Sequence, residues 1–117
     1  MKTFRLTLLP GDGIGPKVMD AALPVMSELG NRYDVECELN TELIGGSSYE
    51  EHGVPVTHDT LQVCKESDAV LLGAIGGPQW ENLPHEKKPE AALLKLRDSL
   101  GLYSNLRPAK VYGALVE

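Results

Sequence analysis

The chain has 117 residues and a net charge of −6, with no lysine–arginine cluster to offset it. An acidic surface without a basic stripe argues against nucleic acid or an anionic membrane surface as a partner. Hydrophobic residues at 42% suffice for a core, and no apolar run approaches the roughly 18 residues that a membrane span needs.

In chain order, residues 4–9 read as a buried strand, short and apolar, ended by Pro10-Gly11. The stretch before Pro10 is interrupted by Arg5 and Thr7 and lacks a small-residue cleavage site, so it is not a signal peptide, and the expected location is cytoplasmic. Gly11-Asp12-Gly13-Ile14-Gly15-Pro16 forms a tight turn, in which Asp12 is expected to make local backbone hydrogen bonds. Pro16 suits the first turn of a helix over residues 17–29, expected to stop at Gly30 and to kink at Pro24. Val35, Cys37 and Leu39 alternate with Glu36 and Glu38, the pattern of a half-exposed strand. Gly45-Gly46 opens a short helix over residues 47–52. Thr57 can cap a further helix reaching Ser67, with Asp59 in its first turn.

Residues 69–73 form a second fully apolar strand, ended by Gly76-Gly77-Pro78. A polar loop over residues 79–88 leads to a helix from Pro89 or Glu90 to about Leu100, then a strand over residues 102–106 and the start of another element over 111–116. Alternating strands and helices predict an α/β fold built on a partly parallel sheet, left open and incomplete, with flanking helices. Cys37 and Cys64 are too far apart in sequence to read as a disulfide or metal framework. His52, His58 and His85 stand alone and read as surface residues.

Three segments could carry chemistry. The glycine turn fits neither of two familiar phosphate-binding patterns. A G-x-G-x-x-G fingerprint and a G-x-x-x-x-G-K-[ST] loop both require glycine at position 16, where this chain has Pro16. The second segment is the helix from Glu90. Glu90, Leu93, Leu94 and Arg97 are spaced i, i+3, i+4, i+7 and share a face, whereas the core stripe should centre on Ala92, Leu93, Leu96 and Leu100. An acid, two leucines and an arginine on one face suit a small acid with an aliphatic branch, Arg97 gripping a carboxylate in bidentate fashion. A solvated helix face carrying a distant charge pair reads the same way when taken alone. The third segment is Asn105-Leu106-Arg107-Pro108, which could bring Arg107 beside Arg97 as a second cation. Trp80, in the polar loop, could cover a ligand or pack the loop down.

Four segments in register carry a resemblance across essentially the whole chain. They are Leu9-Pro10-Gly11-Asp12-Gly13-Ile14-Gly15-Pro16, Gly73-Ala74-Ile75-Gly76-Gly77-Pro78-Gln79-Trp80, Leu93-Leu94-Lys95-Leu96-Arg97 and Leu102-Tyr103-Ser104-Asn105-Leu106-Arg107-Pro108-Ala109-Lys110. In order and spacing the chain resembles the amino-terminal portion of the 3-isopropylmalate dehydrogenases. The resemblance implies the fold of that family, which binds its dinucleotide without a Rossmann domain. Residues 1–100 would belong to the first, cofactor-side domain and 101–117 would begin the second.

The resemblance further implies an oxidoreductase of leucine biosynthesis. It would oxidise 3-isopropylmalate with NAD and decarboxylate it to 4-methyl-2-oxopentanoate, aided by Mg or Mn and acting as a homodimer. Arg97 and Arg107 match the carboxylate-binding arginines, Leu93 and Leu94 the pocket for the isopropyl branch, and Glu90 the acid near that branch and the nicotinamide ribose. Ile14, Gly76, Gly77, Pro78, Gln79 and Trp80, with Glu90, match the cofactor side. The catalytic tyrosine and lysine and the metal-binding aspartates fall beyond Glu117 in the family pattern, so this chain is expected to be inactive alone. Lys17 and Pro24 depart from the family's glutamate and helix former. Competing expectations are a non-catalytic piece that only associates with the missing part, a homoisocitrate- or tartrate-type β-decarboxylating dehydrogenase, and a small flavodoxin-like module.

Overall fold

A computed structural model describes residues 1–116. Its centre is β1, Lys2–Gly11, flanked by β2, Val35–Thr41, and β3, Ala69–Ala74, in the order β2-β1-β3. Both pairings are parallel, with Phe4 opposite Cys37 and Leu8 opposite Leu71. The α/β class and the open sheet with flanking helices are as the sequence predicts.

Side chains alternate across a strand, so β1 supplies two cores. Leu9, fully buried, joins Ile44, Val56, Leu61, Cys64, Ala92 and Leu96 on one face of the sheet. That core is closed by α3, His58–Glu66, and α4, Pro89–Ser99. Leu8, also buried, points to the other face, which α1, Gly15–Tyr33, covers with Met19. The short α2, Gly46–His52, sits at the carboxyl end of the strands.

Thr57 caps α3 as expected, its Oγ1 accepting from the Thr60 amide at 3.1 Å. Helix α1 runs through Pro24, which lies inside it as the sequence predicts and is exposed, so the Asp20 carbonyl that lacks its N–H partner faces water. It continues past the expected stop at Gly30 to Tyr33 and ends at Asp34, in the left-handed conformation with φ 54°. Gly30 serves close packing instead, since a Cβ there would lie 2.7 Å from the Val35 carbonyl oxygen. The polar loop contains two single 3₁₀ turns, Pro78–Trp80 and His85–Lys87.

The strand expected over residues 102–106 does not form. That segment and the following one run fully exposed, with no ladder partner and a single 3₁₀ turn at Gly113–Leu115. A strand exists only by pairing, and this segment reaches no sheet edge. Glu117, the end of the expected second-domain segment, lies outside the described residues.

Candidate active site

Helix α4 builds the site. Pro89 occupies its first turn, where a missing N–H costs nothing. Glu90 in the first turn and Arg97 in the last both complement the helix dipole. The inner side buries Ala92 and Leu96, with Leu100 packed beside them. Glu90, Leu94 and Arg97 lie exposed on the outer side, Leu94 at 58%, and Leu93 is half-buried between the two. The three outer residues form a strip about 10 Å long, seven residues at the helical rise.

A cleft lies at each end of this strip. At the Glu90 end, a cavity of about 280 Å³ is lined by Gly77, Trp80, Glu81, His85, Pro89 and Glu90, with Lys88 also on its wall. Gly76 borders it with φ 101°, a conformation that favours glycine, and a Cβ there would lie 3.1 Å from Glu90 Oε1. At the Arg97 end, a cavity of about 390 Å³ is lined by Arg97 and residues 102–106. The Leu102 amide donates to the Arg97 carbonyl at 3.0 Å, folding the segment back over the helix end.

Arg97 therefore has one wall of a cleft, whereas Arg107 is exposed and does not line it. Neither arginine has a carboxylate partner among the described residues. Ile14, 61% exposed, stands at the start of α1 and lines neither cleft. Pro78 and Gln79 are exposed on the loop. Trp80 is buried, its ring against Gly46 and its indole N–H donating to Glu50 Oε1 at 2.9 Å. Of the two roles open to Trp80 in the sequence, packing the loop is the one its contacts display.

The glycine turn is a knot of close backbone approaches. A Cβ on Gly15 would lie 2.0 Å from the Pro10 carbonyl oxygen, and one on Gly73 2.4 Å from the same atom. The Asp12 carbonyl accepts locally from the Gly15 amide at 2.8 Å, as a turn residue should, but its side chain reaches much further. Buried at 5% exposure, it accepts from the amides of Gly46 and Gly76 on Oδ2 and of Ser47 on Oδ1, at 2.7, 3.0 and 2.7 Å. The signal that could have found it is the presence of two further glycine pairs, Gly45-Gly46 and Gly76-Gly77, each able to turn backbone amides toward one carboxylate.

No group of three or more histidine, cysteine, aspartate or glutamate side chains capable of holding a metal forms among the described residues. Burial pushes the Cys64 thiol above its ordinary range, helped by the charge of Glu42. Cys37 is half-buried. No helix among the described residues is long and apolar enough to cross a membrane.

Residues 5–117 match the family described as isocitrate/isopropylmalate dehydrogenase. The chain is 56% identical over 114 residues to the 3-isopropylmalate dehydrogenase of Chlorobium chlorochromatii, covering 97% of this chain and 32% of that protein. It is 52% identical over 116 residues to the 3-isopropylmalate dehydrogenase of Aquifex aeolicus, again covering 32% of the relative. Among solved structures, a β-decarboxylating dehydrogenase from Thermococcus kodakarensis matches with a TM-score of 0.69 and 35% identity over 86% of this chain and 27% of its own. Isocitrate dehydrogenase from Methylococcus capsulatus matches at 0.59 and 29% identity, over 86% of this chain and 26% of its own. The chain thus spans about a third of the length of the curated relatives it matches.

Proposed function

The chain belongs to the isocitrate/isopropylmalate dehydrogenase family, and from that membership we propose that it supplies the substrate-gripping helix and cofactor-side loop of an NAD-dependent 3-isopropylmalate dehydrogenase of leucine biosynthesis. The single observation that supports this reading most is the exposed strip Glu90, Leu94, Arg97 on α4, running between two clefts while the opposite side of the helix holds the core.

In this reading Arg97 binds a substrate carboxylate through its planar fork, with Arg107 as the second cation. Leu93 and Leu94 receive the isopropyl branch and exclude water from that side of the substrate. An isocitrate would bring a third carboxylate there, and desolvating a charge against two leucines is costly. Glu90 can accept hydrogen bonds from ribose hydroxyls, and the Gly76-Gly77 turn, with no Cβ to intervene, lets a flat nicotinamide approach the backbone. The residues on the loop therefore fit a dinucleotide, with Pro78, Gln79 and Trp80 framing the same side, while Ile14 joins them by the family match alone.

Held by Glu90 and the Gly76-Gly77 turn, NAD would supply the hydride acceptor for oxidation of the substrate hydroxyl. Mg or Mn, the metals the family implies, would act as a Lewis acid. The described residues do not form a metal donor set. The remaining chemistry, including proton transfer and the decarboxylation to 4-methyl-2-oxopentanoate, belongs to residues outside this chain. The two-thirds of the length that the relatives have in addition would supply them, in a homodimer working in the cytoplasm.

The test is NAD reduction with 3-isopropylmalate and Mg or Mn by a full-length polypeptide, this chain joined to the remaining carboxyl-terminal two-thirds of a relative such as the Aquifex aeolicus enzyme, wild type against Arg97→Ala. Losing a charged, bidentate partner should lower kcat/KM on the order of a hundredfold. A variant as active as wild type would remove Arg97 from the site.

A further inference from the structure

The cleft at the Glu90 end has its loop tied down at two points, and both ties lead to α2. At the near end, the Asp12 carboxylate holds the Gly76 amide at 3.0 Å and the first two amides of α2, Gly46 and Ser47, at 2.7 Å each. At the far end, the Trp80 ring lies against Gly46, where a Cβ would approach the indole to 2.2 Å. The indole N–H is held by Glu50 one turn further along α2. Residue 76 is thus held by the same carboxylate that fixes the seven-residue α2 to the end of β1, and residue 80 by α2 itself.

We propose that Asp12 and Glu50 are positioning residues for the cofactor, acting through α2 as a clasp that sets the Gly76–Trp80 turn against Glu90. The proposal rests on the reading of this loop as the cofactor side. Both carboxylate oxygens of Asp12 are taken by backbone amides, so it acts through the segments it holds. It converts three amide donors, which would otherwise need water or a ligand, into a rigid joint between β1, α2 and the loop. Glu50 completes the joint from an exposed position, so its loss leaves the core intact.

Three variants and three readouts test this. Asp12→Asn keeps an acceptor but presents an amide donor to at least one of the three N–H groups. Glu50→Leu removes only the Trp80 tie, and Glu50→Gln keeps an acceptor for the indole. In the full-length polypeptide, Asp12→Asn should raise amide exchange at Gly46, Ser47 and Gly76 about tenfold or more while α3 and α4 hold their protection. Trp80 is the chain's one tryptophan, and Glu50→Leu should shift its emission to the red, with Glu50→Gln as wild type.

In the full-length polypeptide, Glu50→Leu should raise KM for NAD severalfold with KM for 3-isopropylmalate unchanged, and Glu50→Gln should restore it. Uniform loss of protection across all helices, an unmoved Trp80 emission, or equal changes in both KM values would each overturn the clasp. If the wild-type polypeptide reduces no NAD at all, the cofactor reading fails. Exchange and emission then still decide whether the clasp exists.

Discussion

Gly73 has no room for a side chain: a Cβ would sit 2.4 Å from the Pro10 carbonyl oxygen and 2.8 Å from that of Gly15. Both contacts are backbone, which cannot swing aside. Gly73→Ala should therefore cost about 1–3 kcal/mol of stability, read by chemical denaturation. Cys64 gives a residue-scale test of a different kind. Its thiol titrates above its ordinary 9.0 when folded, so the folded and unfolded chains bind the same proton below that value. As pH rises past about 9, the unfolded thiol ionises while the buried one does not, and stability falls across that window. Cys64→Val should lessen the fall, measured by thermal melts at stepped pH. At this scale Glu90, Leu94 and Arg97 were legible because a helical period places them from local sequence alone. Asp12 was not, because its partners lie 34, 35 and 64 residues away, and only the fold brings them together.

The elements divide by whether a local signal or a distant partner creates them. Helix α3 carries its own start, and Thr57→Ala, which removes the acceptor for the Thr60 amide, should cost about 1 kcal/mol. Helix α4 was legible to its two faces, and the faces predict opposite phenotypes. Ala92 is fully buried, so Ala92→Asp should unfold the chain or nearly so. Leu94 is 58% exposed, so Leu94→Ala should change stability by less than about 0.5 kcal/mol. The same change should lower kcat/KM for 3-isopropylmalate on the order of tenfold in the full-length polypeptide, if Leu94 receives the branch. Residues 102–106 have strand-like composition, yet composition does not supply a partner strand. The run Ala69–Ala74 has the continuous apolar character of a strand buried on both faces, and here it lies on the sheet edge, only half-buried.

For the whole molecule, size and surface disagree with those of a self-contained domain. A compact monomer of 12.7 kDa should expose about 6,200 Å², whereas this chain exposes 8340 Å². Its radius of gyration is 15.9 Å, against about 13 Å for a compact domain of this length. The difference in area is of the order buried in an obligate interface. Much of it is apolar, including Val18, Val25 and Leu29 on α1 and Leu102, Leu106 and Val111 in the segment after α4. The isolated chain should therefore bind a hydrophobic dye under native conditions and melt with low cooperativity. A sharp transition without dye binding would mean that it closes on itself in some other way. Sequence patterning reached the fold class and the open sheet. It could not reach how much surface stays open, which depends on how all the elements pack at once.

In the proposed reading the α4 face recognises an alkyl-bearing malate. The most direct measurement is the ratio of kcat/KM for 3-isopropylmalate to that for isocitrate in the full-length polypeptide with NAD and Mg. A ratio far above one is predicted, because the leucines accept a branch and leave a third carboxylate unpaired. A ratio at or below one would contradict recognition of the alkyl branch by Leu93 and Leu94.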